Sequence, residues 1–222
     1  MSSYSVKNEL MPAFVNEVDE SQAVFRHLLK IMSEPGTIVA NTFNGENEIA
    51  SNNIKHQDDS DSFIVDKDLK HIWPIALSLL DHDCQIYIGP SLNSPIFTRS
   101  LVFHTGASIT DDKAKADFVF ISLNELGDIE KYNLGELEAP HKSSTVIVFT
   151  EGISDDKQII LSGPGIKSNK NLSIKGLNAT HIRLLQANNQ FYPCGLDFIF
   201  CSPSNITAIP RTTKIKASVG GC

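Results

Sequence analysis

Apolar positions recur with two different periods along this 222-residue chain. Residues 1–20 carry no clear period and read as an extended, polar entry segment. Val24, Leu28 and Ile31, with Phe25 and Met32 beside them, then repeat at i, i+4 and i+7, which predicts an amphipathic helix with Ser21 as its N-cap. Glu34-Pro35-Gly36 stops it, because proline cannot continue a helix and glycine turns the chain. Thr37 to Phe43 is β-branched and alternating, a strand pattern. Residues 44–62 are polar and include Asp58-Asp59-Ser60-Asp61, a loop by composition. Calcium has no site there, since the glycine and distal glutamate of a helix-loop-helix calcium loop are missing.

Further along, Pro74 fits the first turn of a second helix running to about Asp81. Cys84–Gly89 and Ser100–His104 read as strands. Asp117–Ser122 and Thr145–Thr150 are short, strongly apolar, β-branched runs of the kind that lie at the centre of a sheet. Glu125–Tyr132 between them reads as a short helix. Lys157–Ser162 can return on the Thr145 strand as a hairpin through Gly152 and Asp155-Asp156. Asn178–Asn189 reads as a last long helix, and Leu196–Cys201 and Asn205–Ile209 as closing strands. Irregular alternation with one antiparallel pair predicts a three-layer α/β/α sandwich around a mixed sheet, built as one domain over residues 1–222.

A 41% hydrophobic, 20% charged chain can bury a sizeable core and is not disordered. Its longest apolar runs, Ile72–Leu80 and Leu196–Cys201, fall well short of the roughly 20 residues of a membrane span. Met1–Leu10 shows no apolar segment behind a basic start, so a cytoplasmic location is expected. The net charge of −7 argues against a nucleic-acid surface, although Arg211, Lys214 and Lys216 follow the last acid, Asp197. Cys84, Cys194, Cys201 and Cys222 are too widely spaced for a zinc or thiol redox motif and are expected to be reduced.

Several constellations carry residues suited to chemistry. Leu161-Ser162-Gly163-Pro164-Gly165-Ile166 has the look of a phosphate loop, but Pro164 removes an N–H donor and no G-K-[ST] follows. A tight glycine turn is the better reading. His104, in His104-Thr105-Gly106, can serve as a general base or hydrogen-bonding anchor, or be structural. Asp81-His82-Asp83 resembles a metal triplet, yet adjacent residues point apart on an extended chain. G-x-S-x-G is absent, and Lys142, just before the Thr145 strand, is misplaced for a pyridoxal phosphate aldimine. With only Arg26, Arg99, Arg183 and Arg211 against fifteen lysines, an arginine is the better candidate for planar, bidentate recognition. Arg26 and Arg211 are the candidates for an anion or partner contact, an intramolecular salt bridge being equally open for Arg211.

Five ordered segments together resemble one family, the PhnH subunit of the bacterial carbon–phosphorus lyase system. They are Phe25-Arg26-His27-Leu28-Leu29 through Met32-Ser33-Glu34-Pro35-Gly36, Leu101–Gly106, Leu161–Ile166, Pro193-Cys194-Gly195-Leu196-Asp197 and Ile209-Pro210-Arg211-Thr212-Thr213. The resemblance implies a part in phosphonate use, within a core complex of four subunit types. That complex is implicated in displacing adenine from ATP with an alkylphosphonate, giving a ribose 1-phosphonate 5-triphosphate. It also implies a fold like that of pyridoxal phosphate-dependent transferases without the cofactor. The expected partners are the other core subunits and a second copy in a homodimer, with no nucleic acid and no membrane. The later carbon–phosphorus cleavage needs an iron–sulfur site that these cysteines cannot form. No catalytic, cofactor or metal residue is expected here; Arg26, His104 and Arg211 stand as anion or partner contacts, either in a supporting subunit or in one that binds phosphonate or nucleotide directly.

Overall fold

A computed structural model describes residues 10–41 and 69–218. Its centre is a seven-stranded mixed sheet in the order β1-β9-β8-β5-β4-β2-β3. These strands are β1 (Val39–Ala40), β2 (Gln85–Ile88), β3 (Ser108–Ile109), β4 (Phe118–Ser122), β5 (Thr145–Phe149), β8 (Asp197–Cys201) and β9 (Asn205–Ile209). Neighbours from β3 to β8 run parallel, while β9 is antiparallel to both β8 and β1. A second sheet, β10-β6-β7, is antiparallel throughout and consists of β6 (Ile153–Ser162), β7 (Lys170–Ile174) and β10 (Lys214–Ala217).

Strict alternation along the central strands divides the core in two. Phe120, Ile147, Phe149, Ile199 and Cys201 face one cluster, shared with helices α1 (Glu17–Ser33), α2 (Leu69–Leu79) and α3 (Pro95–Thr105). Val119, Ile121, Val146, Val148, Phe198 and Phe200 face the other. Each central strand is therefore buried on both faces, as its apolar run requires. The second cluster is closed by the small sheet, through Ile159, Leu161, Leu172, Ile174 and Ile215, and by Leu185 of α4 (Ala179–Asn188). A mixed α/β architecture is thus present, but one outer layer combines a sheet, a helix and 3-10 turns.

The predicted central strands, closing strands and last helix occur where expected. Asn178 caps α4, its side chain accepting from the Thr180 and His181 N–H groups. Other expectations need correction. The first helix opens at Glu17, because Asn16 caps it and accepts from the Asp19 N–H at 3.3 Å; the extended entry segment therefore ends before residue 17. Pro74 lies inside α2, where it leaves the Lys70 carbonyl without its helical donor. Ser100–His104 is helix rather than strand. Pro95 opens α3, Gly106 closes it at φ 74°, and Phe97, Ser100 and Leu101 form its buried stripe. Glu125–Tyr132 is not one helix: it holds the last residue of one 3-10 turn, Leu123–Glu125, and the whole of another, Ile129–Lys131. The strand containing Lys157–Ser162 pairs with β7 and β10, not with β5. The expected loop 44–62, the end of the Thr37–Phe43 strand and Cys222 lie outside the described residues. Among the described residues no helix is long and apolar enough to cross a membrane.

Candidate functional site

Arg211 sits in the loop between β9 and β10 with its guanidinium turned inward. Its Nε donates to both Asp197 carboxylate oxygens at 3.2 Å, Nη2 reaches Oδ2 at 2.5 Å, and Nη1 donates to the Pro140 carbonyl at 2.6 Å. The backbone N–H of Arg211 also donates to Asp197 Oδ1 at 2.9 Å. Both side chains are only 15% exposed. Of the two readings open for Arg211, the salt bridge is the one present, and it ties the β9–β10 loop to the start of β8.

His104 lies in the last turn of α3, with Nε2 2.8 Å from the Met11 carbonyl, so this nitrogen carries the proton and donates. Its ring meets Trp73 edge-on at 5.7 Å and Phe103 at 5.0 Å. Trp73 Nε1 donates to the Pro12 carbonyl at 2.7 Å, and the Met11 N–H donates to Ser100 Oγ at 2.8 Å. His104 and Trp73 thus clasp the chain that leads into α1. Arg26 is exposed on α1 and reaches Gln22 Oε1 at 3.3 Å. Arg26, His104 and Arg211 thus have three separate surroundings, with Gln22, Met11 and Asp197 as their respective partners.

The segments that carry the family resemblance meet at junctions between elements. Gly165, at φ 78°, passes so close to the Ser33 carbonyl and Pro35 that a Cβ has no room. Gly163 (φ 133°) passes the Thr212 carbonyl, and the Gly36 N–H donates to the Ala208 carbonyl at 3.0 Å. The end of α1, the β6–β7 turn and the β9–β10 loop are therefore packed into one another. Leu161–Ile166 is the tight glycine turn, closed by the Ile166 N–H on the Gly163 carbonyl at 3.1 Å. Gly195, at φ 107°, passes tightly against Asn188 and makes ordinary contact with Arg211.

The position that sequence reading missed lies at the carboxyl ends of β2 and β4. Chain connections leave these neighbouring strands in opposite directions, from β2 through α3 to β3 and from β4 to β5. Open α/β sheets place their crevices at such a switch point. Glu125 occupies it, accepting from the Ser91 N–H at 2.8 Å and the Ser122 N–H at 3.0 Å. Gly89, just past β2, has no space for a Cβ against that carboxylate. Desolvation raises the Glu125 pKa, but the N–H and hydroxyl groups of Ser91 and Ser122 outweigh it and hold the carboxyl below its ordinary value.

Beside this carboxylate, Lys113 Nζ lies between two rings, 5.1 Å from the centre of Tyr87 and 4.9 Å from that of Tyr132, and 3.3 Å from the Tyr132 hydroxyl. Burial lowers the Lys113 pKa and pushes Tyr132 up to about 12. An open cleft of about 450 Å³ adjoins them, lined by Tyr87, Asp111, Asp112, Lys113, Ala114 and Lys131. Asp81, His82 and Asp83 bring one ligand atom each within 4.8 Å of one another, all exposed. Asp81 already accepts from the Asp83 N–H and the Cys84 thiol, so this cluster carries no argument for a metal. Lys142 lies in a 3-10 turn at the amino end of β5, away from the strand ends where a cofactor would sit. Cys84, Cys194 and Cys201 are free thiols, the latter two buried.

A family model described as bacterial phosphonate metabolism protein (PhnH) matches residues 12–216. Alpha-D-ribose 1-methylphosphonate 5-triphosphate synthase subunit PhnH of Rhizobium meliloti (strain 1021) is 29% identical over 205 residues, covering 92% of this chain and 94% of the relative. HtxG of Stutzerimonas stutzeri, whose name associates it with a C-P lyase, is 30% identical over 100 residues, covering 45% of this chain and 51% of that protein.

Proposed function

The chain belongs to the PhnH family of bacterial phosphonate metabolism proteins, and on that premise we propose that it works as the PhnH-type subunit of a ribose 1-methylphosphonate 5-triphosphate synthase. The observation that carries this reading is the end-to-end match to the Rhizobium subunit, 92% of one chain on 94% of the other. Its role is to support assembly and activity in the cytoplasm, as a single domain whose two half-cores share one sheet. The burial of Arg211 against Asp197 favours a supporting role, since the most promising oxyanion fork is already occupied by a carboxylate. The mixed sheet with a parallel centre supports a transferase-like ancestry without the cofactor.

The same reading includes a homodimer, for which α1 supplies a surface. Val18, Phe25 and Leu29 stand exposed at i, i+7 and i+11, on a side of the helix distinct from the buried Val24, Leu28 and Ile31. Glu17, Asp19 and Glu20 charge its first turn, and Arg26 and Lys30 its second half. An antiparallel second copy of α1 sets each acidic end against a basic one while covering the apolar stripe. Reconstitution tests the whole reading. The isolated chain, a dimer by light scattering, should not turn over ATP and methylphosphonate, and omitting it from the partner subunits should abolish assembly or activity. Full activity of the partners without it would sink the idea.

A further inference from the structure

We propose that the cleft lined by Tyr87, Lys113 and Lys131 binds a small molecule bearing a tetrahedral phosphorus oxyanion, with the Lys113 ammonium as its anchor. Lys113 is the unusual cation of the described residues. Its Nζ has two aromatic faces and one phenol oxygen as neighbours, and no described carboxylate within 4 Å. Cation–π contact partly compensates the lost hydration without neutralising the charge. An incoming oxyanion therefore meets an ammonium that has already shed part of its water and has hydrogen-bonding capacity to spare. Three features make the place a site rather than a lone residue. The cleft is open and large enough for a small ligand. Its lining runs from Tyr87 of β2 to the β3–β4 connection, and Glu125 at the β2/β4 switch point is near enough to act electrostatically on Lys113. Lys131 supplies a second ammonium on the cleft wall, shared with Asp128 at 3.2 Å.

The acids of the cleft set the charge that it tolerates. Asp112 is engaged by the Ala114 N–H at 3.0 Å and by Lys115 at 3.7 Å. Glu125 is held by the backbone at Ser91 and Ser122. Asp111 makes neither kind of contact and stands in the cleft wall as the repulsive element. Two lysines without an arginine fork favour a tetrahedral group, which accepts point charges, over a planar carboxylate. The choice of phosphorus rests on the subunit reading above; the location rests on the geometry alone.

Calorimetry on the full chain separates the possible sources, with inorganic phosphate, methylphosphonate and ATP titrated in turn. At least one should bind saturably. Lys113→Met should weaken that binding about tenfold or more, the loss of one charge-assisted hydrogen bond. Asp111→Asn should tighten it, an outcome that a misfolded variant cannot imitate. If Lys113→Met does not fold, Lys131→Met and Asp111→Asn decide. Silence from wild type with all three ligands overturns the site, as does binding indifferent to Lys113 and Asp111. A wild-type chain that stays silent yet completes the partner assembly loses the cleft and keeps its place as a subunit.

Discussion

Arg211 and Lys113 are both drawn partly out of water, and they are accommodated by opposite means. Arg211 is locked to Asp197 by four hydrogen bonds, with a fifth to the Pro140 carbonyl. Lys113 has two tyrosine faces, one hydroxyl and an open cleft. The first arrangement saturates the cation and holds three chain segments together. The second leaves it unsaturated. A cation serves recognition when its hydrogen-bonding capacity is left over, and scarcity of the residue type says nothing about that.

The sharpest way to break the comparison is at the saturated end. Arg211→Ala should cost about 3–5 kcal/mol by leaving the Asp197 carboxylate buried and unpaired. For a chain of this size that is a fall of about 10 °C or more in melting temperature, read by calorimetry. An unchanged melting temperature would show that the pair holds nothing together.

A smaller effect is expected at Glu125, which joins the two regions in kind, being a charge saturated by backbone N–H groups beside the open cleft. Its carboxyl is held below the ordinary value in the folded state, so its contribution is complete above the unfolded-state pKa. It is lost as the pH falls through the lower folded-state value. Glu125→Gln should therefore lower the melting temperature at neutral pH and converge with wild type in acid. A constant offset across the range would contradict this.

The smallest stability effect belongs to Lys113→Met. Losing an open-sided cation–π contact is worth about 0.5–1 kcal/mol, so melting should shift by only a few degrees while ligand binding falls. A large loss of stability would place Lys113 with Arg211 among the structural cations.

How far the sequence was legible follows from which forces act locally. Val24, Leu28 and Ile31 announce their helix because one face of a 3.6-residue period must be buried, and they are buried. Thr145–Phe149 and Asp197–Cys201 read as central strands because both faces are covered, which demands continuous apolar residues. Leu101-Val102-Phe103-His104 misleads for the opposite reason. Its bulky run has strand propensity, while Pro95, Gly106 and the Phe97–Ser100–Leu101 stripe make it helix. Lys170–Ile174 is mostly polar and became a strand only by pairing with β6.

The candidate site shows the same division. By itself the sequence determined the family through its ordered segments and the central strands, since both are written in local residue order. Only the tertiary structure decided that Arg211 faces Asp197, that Gly163 and Gly165 serve packing, that Glu125 sits at the β2/β4 switch point, and that Lys113 lies between Tyr87 and Tyr132. Those outcomes depend on strand order and on which charges lose their water together. Such contacts join residues far apart in sequence, and no local pattern encodes them.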